Sequence, residues 1–290
     1  MIRRHPSPPN SLLPERLPGR VLAAPSWVVP GTLAENCVFL ATKVDEVGLL
    51  FMESAACLAY GERDLPGLLA DLPFSCHLHL PVDLPMDAPA RAAAICAELL
   101  DKAAFLPVGG HWRERAADTF FAGAPDDHGQ AGKERPAMRA VLHPPAHDPA
   151  DAGLAGRRLA AFAKAWLALG KPPSCLLLEN VRDNDLTELA GPVREYGFGL
   201  CLDMGHILAY GQEKLLRRQD LLGRARMLHA SAPGRGRRAG QHLPLTALDA
   251  DGRRRAARIC GSVPADAVVM LELFSWPHIE ESLPLLRSWL

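Results

Sequence analysis

The chain has 290 residues, of which 48% are hydrophobic, and a formal net charge of -1 at pH 7. This length can bury one large core, and the near-neutral charge argues against a duplex-binding protein, which normally carries a clear basic excess. No apolar run reaches the roughly 18 residues expected of a membrane span, and residues 1–20 lack the apolar core of a secretory signal. We therefore expect a cytoplasmic protein with no membrane partner, in which a flexible arm (1–20) precedes a single domain (21–290).

Eight short and mostly apolar runs alternate with helix-like stretches along the chain. The predicted strands are 21–28, 44–53, 75–81, 138–144, 174–180, 198–205, 226–231 and 267–274. The predicted helices lie near 33–43, 64–71, 88–105, 151–169, 185–196, 213–223, 246–260 and 278–289. Continuous apolar runs are typical of parallel strands buried on both faces. Strict alternation of strand and helix predicts an α/β fold, a (β/α)8 TIM barrel. The rival is an open doubly wound sheet, but no Gly-rich turn follows the first strand.

The cysteines and one long connection complete the outline. The chain has seven cysteines, an odd number, and no CxxC pair. Cys76, Cys175 and Cys201 lie in strand-like runs, so we expect buried free thiols, as in a reducing cytoplasm. The segment 107–136 connects a helix to the fourth strand, which predicts a surface excursion on the barrel face opposite an active site.

Side chains of the kinds that bind metal ions close most of the apolar runs. They are His79, His143, Glu179, Asp203, His206, His229, His242 and Glu272. The carboxyl ends of barrel strands meet at one mouth, where active sites of this fold are built. Carboxylates inside apolar runs are costly unless they are paired or bound to metal. The pattern predicts a metal site that holds roughly one to three divalent ions, with ligands that suit Zn, Mn, Fe or Co.

Several assignments within this set stay open. His77 and His79 point to the same side of a strand, and we favour His79 because it is nearer the end. His143 is favoured over His147, which lies in the following loop. His242 lies in a loop and is equally well explained as an ordinary loop histidine.

Arginines in two mouth loops are candidates for substrate binding. The loop SAPGRGRRAGQH carries Arg235, Arg237 and Arg238 among glycines, and Arg182 follows the fifth strand. Loops after the last two barrel strands often hold phosphate, and guanidinium groups suit phosphate oxygens. A solvated basic loop is the alternative explanation.

With these residues in place, the chain resembles the xylose-isomerase-like barrel superfamily, which includes the endonuclease-IV-type enzymes. The ordered set H, H, E, DxxH, H, H, E carries this resemblance over about 21–290. Within the superfamily the chain looks most like the cobamide-remodelling phosphodiesterases (the CbiR type), on the stretches CHLHLPVDLPMD, AVLHPP, LLLENV, CLDMGHILAYG and GQHLPL. This resemblance implies cleavage of a phosphoester in the nucleotide loop of a cobamide.

The chain departs from these families in two loops. The segment 107–136 is longer than the cobamide family leads us to expect, and the loop before His242 is richer in arginine. In endonuclease-type relatives an Asp usually precedes the last loop histidine by two positions, where this chain has Gly240. That difference weakens the case for a full three-metal site.

Three functions compete at this point. In metal-dependent phosphoester hydrolysis, two or more ions clamp the reacting oxygens, and the surplus of histidines favours this. A sugar or sugar-phosphate isomerase or epimerase needs only Glu179, Asp203, His229 and Glu272 around one metal, with Glu179 and Glu272 as catalytic groups that exchange substrate protons. The third possibility is a barrel that binds a ligand without catalysis. Buried carboxylates kept without a metal would destabilise such a protein. We expect an enzyme with a small-molecule phosphoester substrate, in which nucleic acid is not the partner.

Overall fold

The computed structural model describes residue 17 and the segments 19–109, 137–234, 236 and 240–290. The strands are β1 (Leu22–Pro25), β2 (Glu46–Leu50), β3 (Ser75–His79), β4 (Ala140–Leu142), β5 (Leu176–Glu179), β6 (Gly199–Asp203), β7 (Ala225–Ala230), β8 (Ala232–Pro233), β9 (His242–Leu243) and β10 (Val268–Leu271). Within this part of the chain, eight strands close a barrel in the order β1-β10-β7-β6-β5-β4-β3-β2, and every neighbouring pair is parallel. The predicted (β/α)8 barrel is confirmed.

Helices follow the barrel strands and cover their outer faces. They are α1 (Leu33–Leu40), α2 (Ser54–Leu58), α3 (Pro89–Lys102), α4 (Leu154–Ala168), α5 (Ala190–Tyr196), α6 (Met204–Tyr210), α7 (Gln219–Leu222), α8 (Ala250–Ser262) and α9 (Trp276–Trp289). Local sequence signals start several of them. Thr32 and Glu35 form a capping box at α1, and the Asp249 side chain accepts a hydrogen bond from Gly252 N at the start of α8.

The structure differs from the sequence prediction mainly at the ends of elements. The last predicted strand, 267–274, ends at Leu271, because the residues beyond it leave the barrel for the mouth loop. The stretch predicted as one helix at 64–71 holds only a 3-10 helix at Gly67–Asp71, preceded by the short α2. Pro66 immediately before this turn supplies no N–H for a longer helix.

Alternation along the strands puts a second, smaller core inside the barrel. Its residues are Ala23, Val141, Leu177, Cys201, Met227, Val268 and Met270. Because side chains in a strand alternate between faces, the residue two positions later also faces the interior. His143, Glu179, Asp203, His229 and Glu272 each lie two residues beyond a member of this core, so they form its next layer toward the mouth.

One buried polar pair lies deeper in the barrel. Nδ1 of His77 and Oε1 of Glu46 are 2.7 Å apart, and Ser75 Oγ donates to Glu46 Oε2 at 3.0 Å. A Cβ on Gly48 would lie 2.8 Å from Nε2 of His77, so only glycine leaves room for the imidazole. His77 is therefore paired with Glu46 inside the barrel, and His79 is the histidine of β3 that lies at the mouth.

The remaining predictions about overall organisation have mixed outcomes. All seven cysteines are buried and free, which confirms that prediction. No described helix is both long and apolar enough to cross a membrane. Most of the predicted arm (1–20) and of the excursion (107–136) lies outside the described residues, so both stay predictions.

Candidate metal centre

The ends of six neighbouring barrel strands bring the predicted ligands to one mouth. His79, Glu179 and Asp203 are the last residues of β3, β5 and β6, and His229 lies near the end of β7. His143 and Glu272 follow directly after β4 and β10; His206 lies in the first turn of α6, and His242 begins β9. The eight predicted ligands therefore converge, as the sequence pattern indicates.

Glu179 lies at the centre of the cluster, with different histidines on its two oxygens. Its Oε2 is 3.2 Å from Nε2 of His79 and 3.1 Å from Nε2 of His143. Its Oε1 is 3.0 Å from Nδ1 of His229. A carboxylate that offers one oxygen to each side has the arrangement needed to bridge two cations.

Glu272 connects this cluster to the loop histidine. Its Oε2 lies 3.2 Å from Nδ1 of His229 and 3.3 Å from Nδ1 of His242. His242 reaches the mouth because β9 pairs antiparallel with β8, which places it opposite Pro233. The hydroxyl of Ser231, at the base of the hairpin, is 3.3 Å from the same His242 nitrogen. The structure thus assigns His242 to the site rather than to an ordinary loop position.

Asp203 and His206 form a third corner of the cluster, where a strand turns directly into a helix. Asp203 caps α6 and accepts a hydrogen bond from His206 N at 2.6 Å. Ser231 Oγ lies 2.6 Å from where a Cβ on Gly205 would be, so a larger residue at 205 would push the two loops apart. This close approach explains the glycine of the DMGH sequence.

The metal-ligating groups fall into three overlapping sets. They are His79, Glu179, His229 and Glu272; Glu179, Asp203 and His206; and Asp203, His242 and Glu272. Within each set, one ligand atom from each residue lies within 4.8 Å of the others. Each pair of sets shares one carboxylate. The isomerase or epimerase alternative needs Glu179, Asp203, His229 and Glu272 around a single ion. Here Asp203 belongs to the other two sets, and His79 is the fourth member of the set that holds Glu179, His229 and Glu272.

Backbone carbonyls fix the orientation of two histidines. Nδ1 of His79 donates to Leu80 O at 3.1 Å, and Nδ1 of His206 donates to Asn180 O at 2.8 Å. A carbonyl can only accept, so Nδ1 carries the proton in the neutral ring and Nε2 is left as the ligand atom. Metal-binding histidines are commonly held in this way.

The charged groups of this cluster change one another's pKa values. Burial raises the pKa of Asp203 to about 6. Burial opposes ionisation of Glu179, but attraction to His229 and hydrogen bonds from the neighbouring histidines hold the pKa of Glu179 well below its usual value. Burial lowers the pKa of His229, but Cys201 and Glu272 outweigh it and raise that pKa well above the usual value. Without metal, His229 therefore retains its proton.

The unpaired oxygen of Asp203 tests whether these residues fit a cation. Asp203 is fully buried, and its Oδ2 has no hydrogen-bond partner among the described residues. Nδ1 of His206 lies 3.8 Å from this oxygen, which is beyond hydrogen-bond distance. A buried carboxylate oxygen without a partner is costly, and a divalent cation would satisfy it. The donor set, imidazole with carboxylate, suits such an ion.

Two other predicted residues, His147 and Arg182, pair with acidic groups outside this cluster. His147, the alternative to His143, pairs with Glu188 at 3.0 Å near the surface. Arg182 is exposed in the loop after β5, with its Nε 3.8 Å from Asp183. Arg235, Arg237 and Arg238 lie outside the described residues, so their role in binding substrate stays a prediction.

Sequence reasoning gave too little weight to three residues behind the ligands. Asn180 donates to Gln212 Oε1 at 2.9 Å and to Asp203 O, and Gln212 donates to Val181 O at 2.8 Å. Ser231 contacts His242. Because Asn180 is adjacent to Glu179 in sequence, its position near the site could have been predicted. Nothing in the sequence near Gln212 or Ser231 indicates that these residues lie near the site.

Comparison with known proteins identifies the fold. The chain matches no protein-family model, and no curated protein matches it by sequence. A D-tagatose 3-epimerase-like protein superposes with a TM-score of 0.60 at 13% identity, covering 93% of this chain and 96% of that chain. SacUVDE gives 0.53 at 11% identity over 93% and 98%. A xylose isomerase domain protein from Planctomyces limnophilus gives 0.53 at 13% identity over 92% and 95%.

The chain therefore shares the TIM-barrel fold of these three structures, which is the fold that the broader resemblance implies. The cobamide-specific resemblance is not confirmed by these comparisons. The first and third of these structures are a D-tagatose 3-epimerase-like protein and a xylose isomerase domain protein. At such low identity the likeness establishes the fold, and function has to be argued from the site.

Proposed function

We propose that the chain is a metal-dependent hydrolase that holds more than one divalent ion and cleaves a phosphoester. The main observation behind this proposal is that any two of the three ligand sets share one carboxylate, which is Glu179, Asp203 or Glu272. Shared carboxylates bridge neighbouring ions in multinuclear sites, whereas a single-ion enzyme needs one set. His143 also contacts Oε2 of Glu179 and so provides a further imidazole ligand next to that oxygen.

The residues of the three sets would hold the ions. When bound, paired divalent ions clamp the attacking and leaving oxygens of a phosphoryl group and activate water. The chain itself excludes bulk water from the base of the site, since Glu179, Asp203 and His229 are buried. It also fixes the ligand atoms, through the carbonyls behind His79 and His206. Such preorganisation is what lets a site stabilise developing charge.

For the substrate, we propose a phosphoester in the nucleotide loop of a cobamide. The family resemblance supports this choice, and the net charge of -1 supports a small molecule over a nucleic acid. Arg182, Arg235, Arg237 and Arg238 are the proposed contacts to phosphate. The seven buried free cysteines support a cytoplasmic location.

The direct test is anaerobic incubation of the metal-loaded protein with a cobamide. Loss of the lower nucleotide, followed by chromatography, is the expected result, and it should disappear in Glu179→Gln. An intact cobamide, with turnover of simpler phosphodiesters retained, would overturn the choice of substrate. Absence of any phosphoester cleavage by protein with a full metal complement would overturn the hydrolase itself.

An isomerase or epimerase of a sugar or sugar phosphate is the second candidate. The solved structures with this fold favour it, as does the contact of both Glu179 and Glu272 with Nδ1 of His229. In this alternative one carboxylate removes a proton from the substrate carbon and the other returns it. Interconversion of a ketose or aldose under the same anaerobic conditions, without phosphoester cleavage, would replace the hydrolase with this function.

A further inference from the structure

Several of the most exposed large apolar side chains border the mouth of the barrel. Trp27, Met52, Val82 and Phe274 are 53%, 46%, 58% and 45% exposed. They lie in the loops that follow β1, β2, β3 and β10, each two or three residues beyond the end of its strand. We call these four residues the apolar rim.

The four strands that precede the loops of the apolar rim are neighbours in the barrel. The barrel order places β10 beside β1, β1 beside β2, and β2 beside β3. With strands spaced by roughly 4.8 Å, three such steps span about 14 Å of the mouth. Single exposed apolar residues are ordinary, but a row of them beside a concave site is typical of ligand binding.

Hydrogen bonds between the loops hold the rim in place. Trp276 N donates to Val28 O at 2.9 Å, which joins the loops after β10 and β1. Leu50 N donates to Ser26 Oγ at 3.1 Å, and Ser54 Oγ donates to Asp83 Oδ1 at 2.7 Å, which joins the loops after β2 and β3. A surface fixed before binding loses little conformational entropy when a ligand arrives.

The rim and the metal centre occupy different parts of one mouth. None of the eight candidate ligands comes from β1 or β2, the strands that carry Trp27 and Met52. The two parts meet at Phe274, which lies two residues after Glu272 and whose ring is edge-on to His242, 5.2 Å between centroids. A molecule with its reactive group at the ligands would extend over the rim.

We propose that the apolar rim binds a broad apolar or planar part of the substrate, next to the phosphoester that the metal centre cleaves. This inference rests on the proposed hydrolase function and specifies its substrate as amphipathic, with an anionic ester at one end and an apolar body at the other. A small hydrophilic phosphoester would leave the rim in water. Trp27 and Met52 are thus specificity-determining residues.

The test compares two diesters with the same leaving group, 2-naphthyl 4-nitrophenyl phosphate and methyl 4-nitrophenyl phosphate. The metal-loaded protein should have a KM lower by about tenfold for the naphthyl diester. The variant W27A/M52A should lose this preference and keep the KM of the methyl diester. The control L167A/L169A removes two apolar side chains of similar exposure, 49% and 48%, at the far end of α4, and should change neither value.

A binding measurement separates this inference from the proposed function. Calorimetry with 2-naphthyl methylphosphonate and methyl methylphosphonate needs no turnover. If neither diester is cleaved but the unmodified protein prefers the naphthyl phosphonate and W27A/M52A does not, the hydrolase fails and the rim is supported. If both diesters are cleaved with equal KM and both phosphonates bind equally, the rim assignment is overturned. It is also overturned if W27A/M52A alters only self-association in sedimentation, since the rim would then be an interface between copies.

Discussion

Asn180 holds the backbone of Asp203 from both sides. Its Oδ1 accepts from Asp203 N at 2.7 Å, and its Nδ2 donates to Asp203 O at 3.1 Å. The backbone carbonyl of Asn180 also accepts from Nδ1 of His206. One residue that binds no metal itself therefore sets the position of two candidate ligands.

Replacing Asn180 with Ala should weaken metal binding by about 10- to 100-fold, the usual cost of losing an outer-shell partner. The measurement is competition with a chelator of known affinity. The matched control is Asn184→Ala, which removes another buried amide, one that donates to Pro145 O at 2.8 Å and touches no candidate ligand. Both variants should lose about 1–3 kcal/mol of stability from unsatisfied buried groups. Equal metal affinity in the two variants would argue against this role.

His143→Ala should lower the number of ions bound per chain without unfolding the barrel. The side chain of His143 is 28% exposed, and its Nε2 lies 3.1 Å from Oε2 of Glu179. His147→Ala is the control, because His147 lies in the same loop and pairs with Glu188 instead. Elemental analysis of both variants gives the comparison. A stoichiometry in His143→Ala that matches the unmodified protein would count against a multinuclear site.

Replacing Arg235, Arg237 and Arg238 with Ala should reduce phosphodiester turnover by roughly 100-fold or more, since charge on the phosphoryl oxygens would lose its stabilisation. Metal content should stay the same. Arg157 and Arg254, which are exposed on α4 and α8 and paired with aspartates, provide a double-Ala control. Turnover that falls equally in both variants would indicate a general effect of charge rather than contact with substrate.

Metal should stabilise the protein more as pH rises from about 6 to 8. The raised pKa values of His79, His206 and His229 mean that the metal-free fold gains stability from their protons below about pH 6.5, and this gain is lost as they deprotonate. Burial raises the pKa of Asp203 to about 6, so the metal-free fold also loses stability as Asp203 ionises between about pH 4 and 6. Calorimetric Tm values with and without metal should therefore diverge with rising pH. A constant difference would contradict this linkage.

The sequence predicts the barrel and the ligand set well because both depend on local patterns. Five of the eight apolar runs end in a ligand two residues past an inward-facing core residue, as with Leu177 and Glu179. The pattern does not give distances, so it groups Asp203 with His229 although Asp203 belongs to the other two sets. It also misses the hairpin of β8 and β9, because strands of two residues have no periodicity to detect.

Partners that lie on distant elements could not be predicted for a different reason. His77 and His79 have the same alternation. The position of His79 near the strand end favours it as the ligand, but the pairing of His77 with Glu46 on the neighbouring strand is visible only in the structure. Gln212 contacts Asn180 across 32 positions, and nothing near either residue indicates that they meet. Such contacts depend on the closed barrel rather than on local sequence.

The metal content of anaerobically purified protein tests the central claim most directly. Three ligand sets joined by shared carboxylates predict roughly two or three divalent ions per chain, measured by elemental analysis against protein concentration. A saturated value of about one ion per chain, unchanged after incubation with excess Zn, Mn, Fe or Co, would contradict the multinuclear hydrolase and favour the isomerase or epimerase.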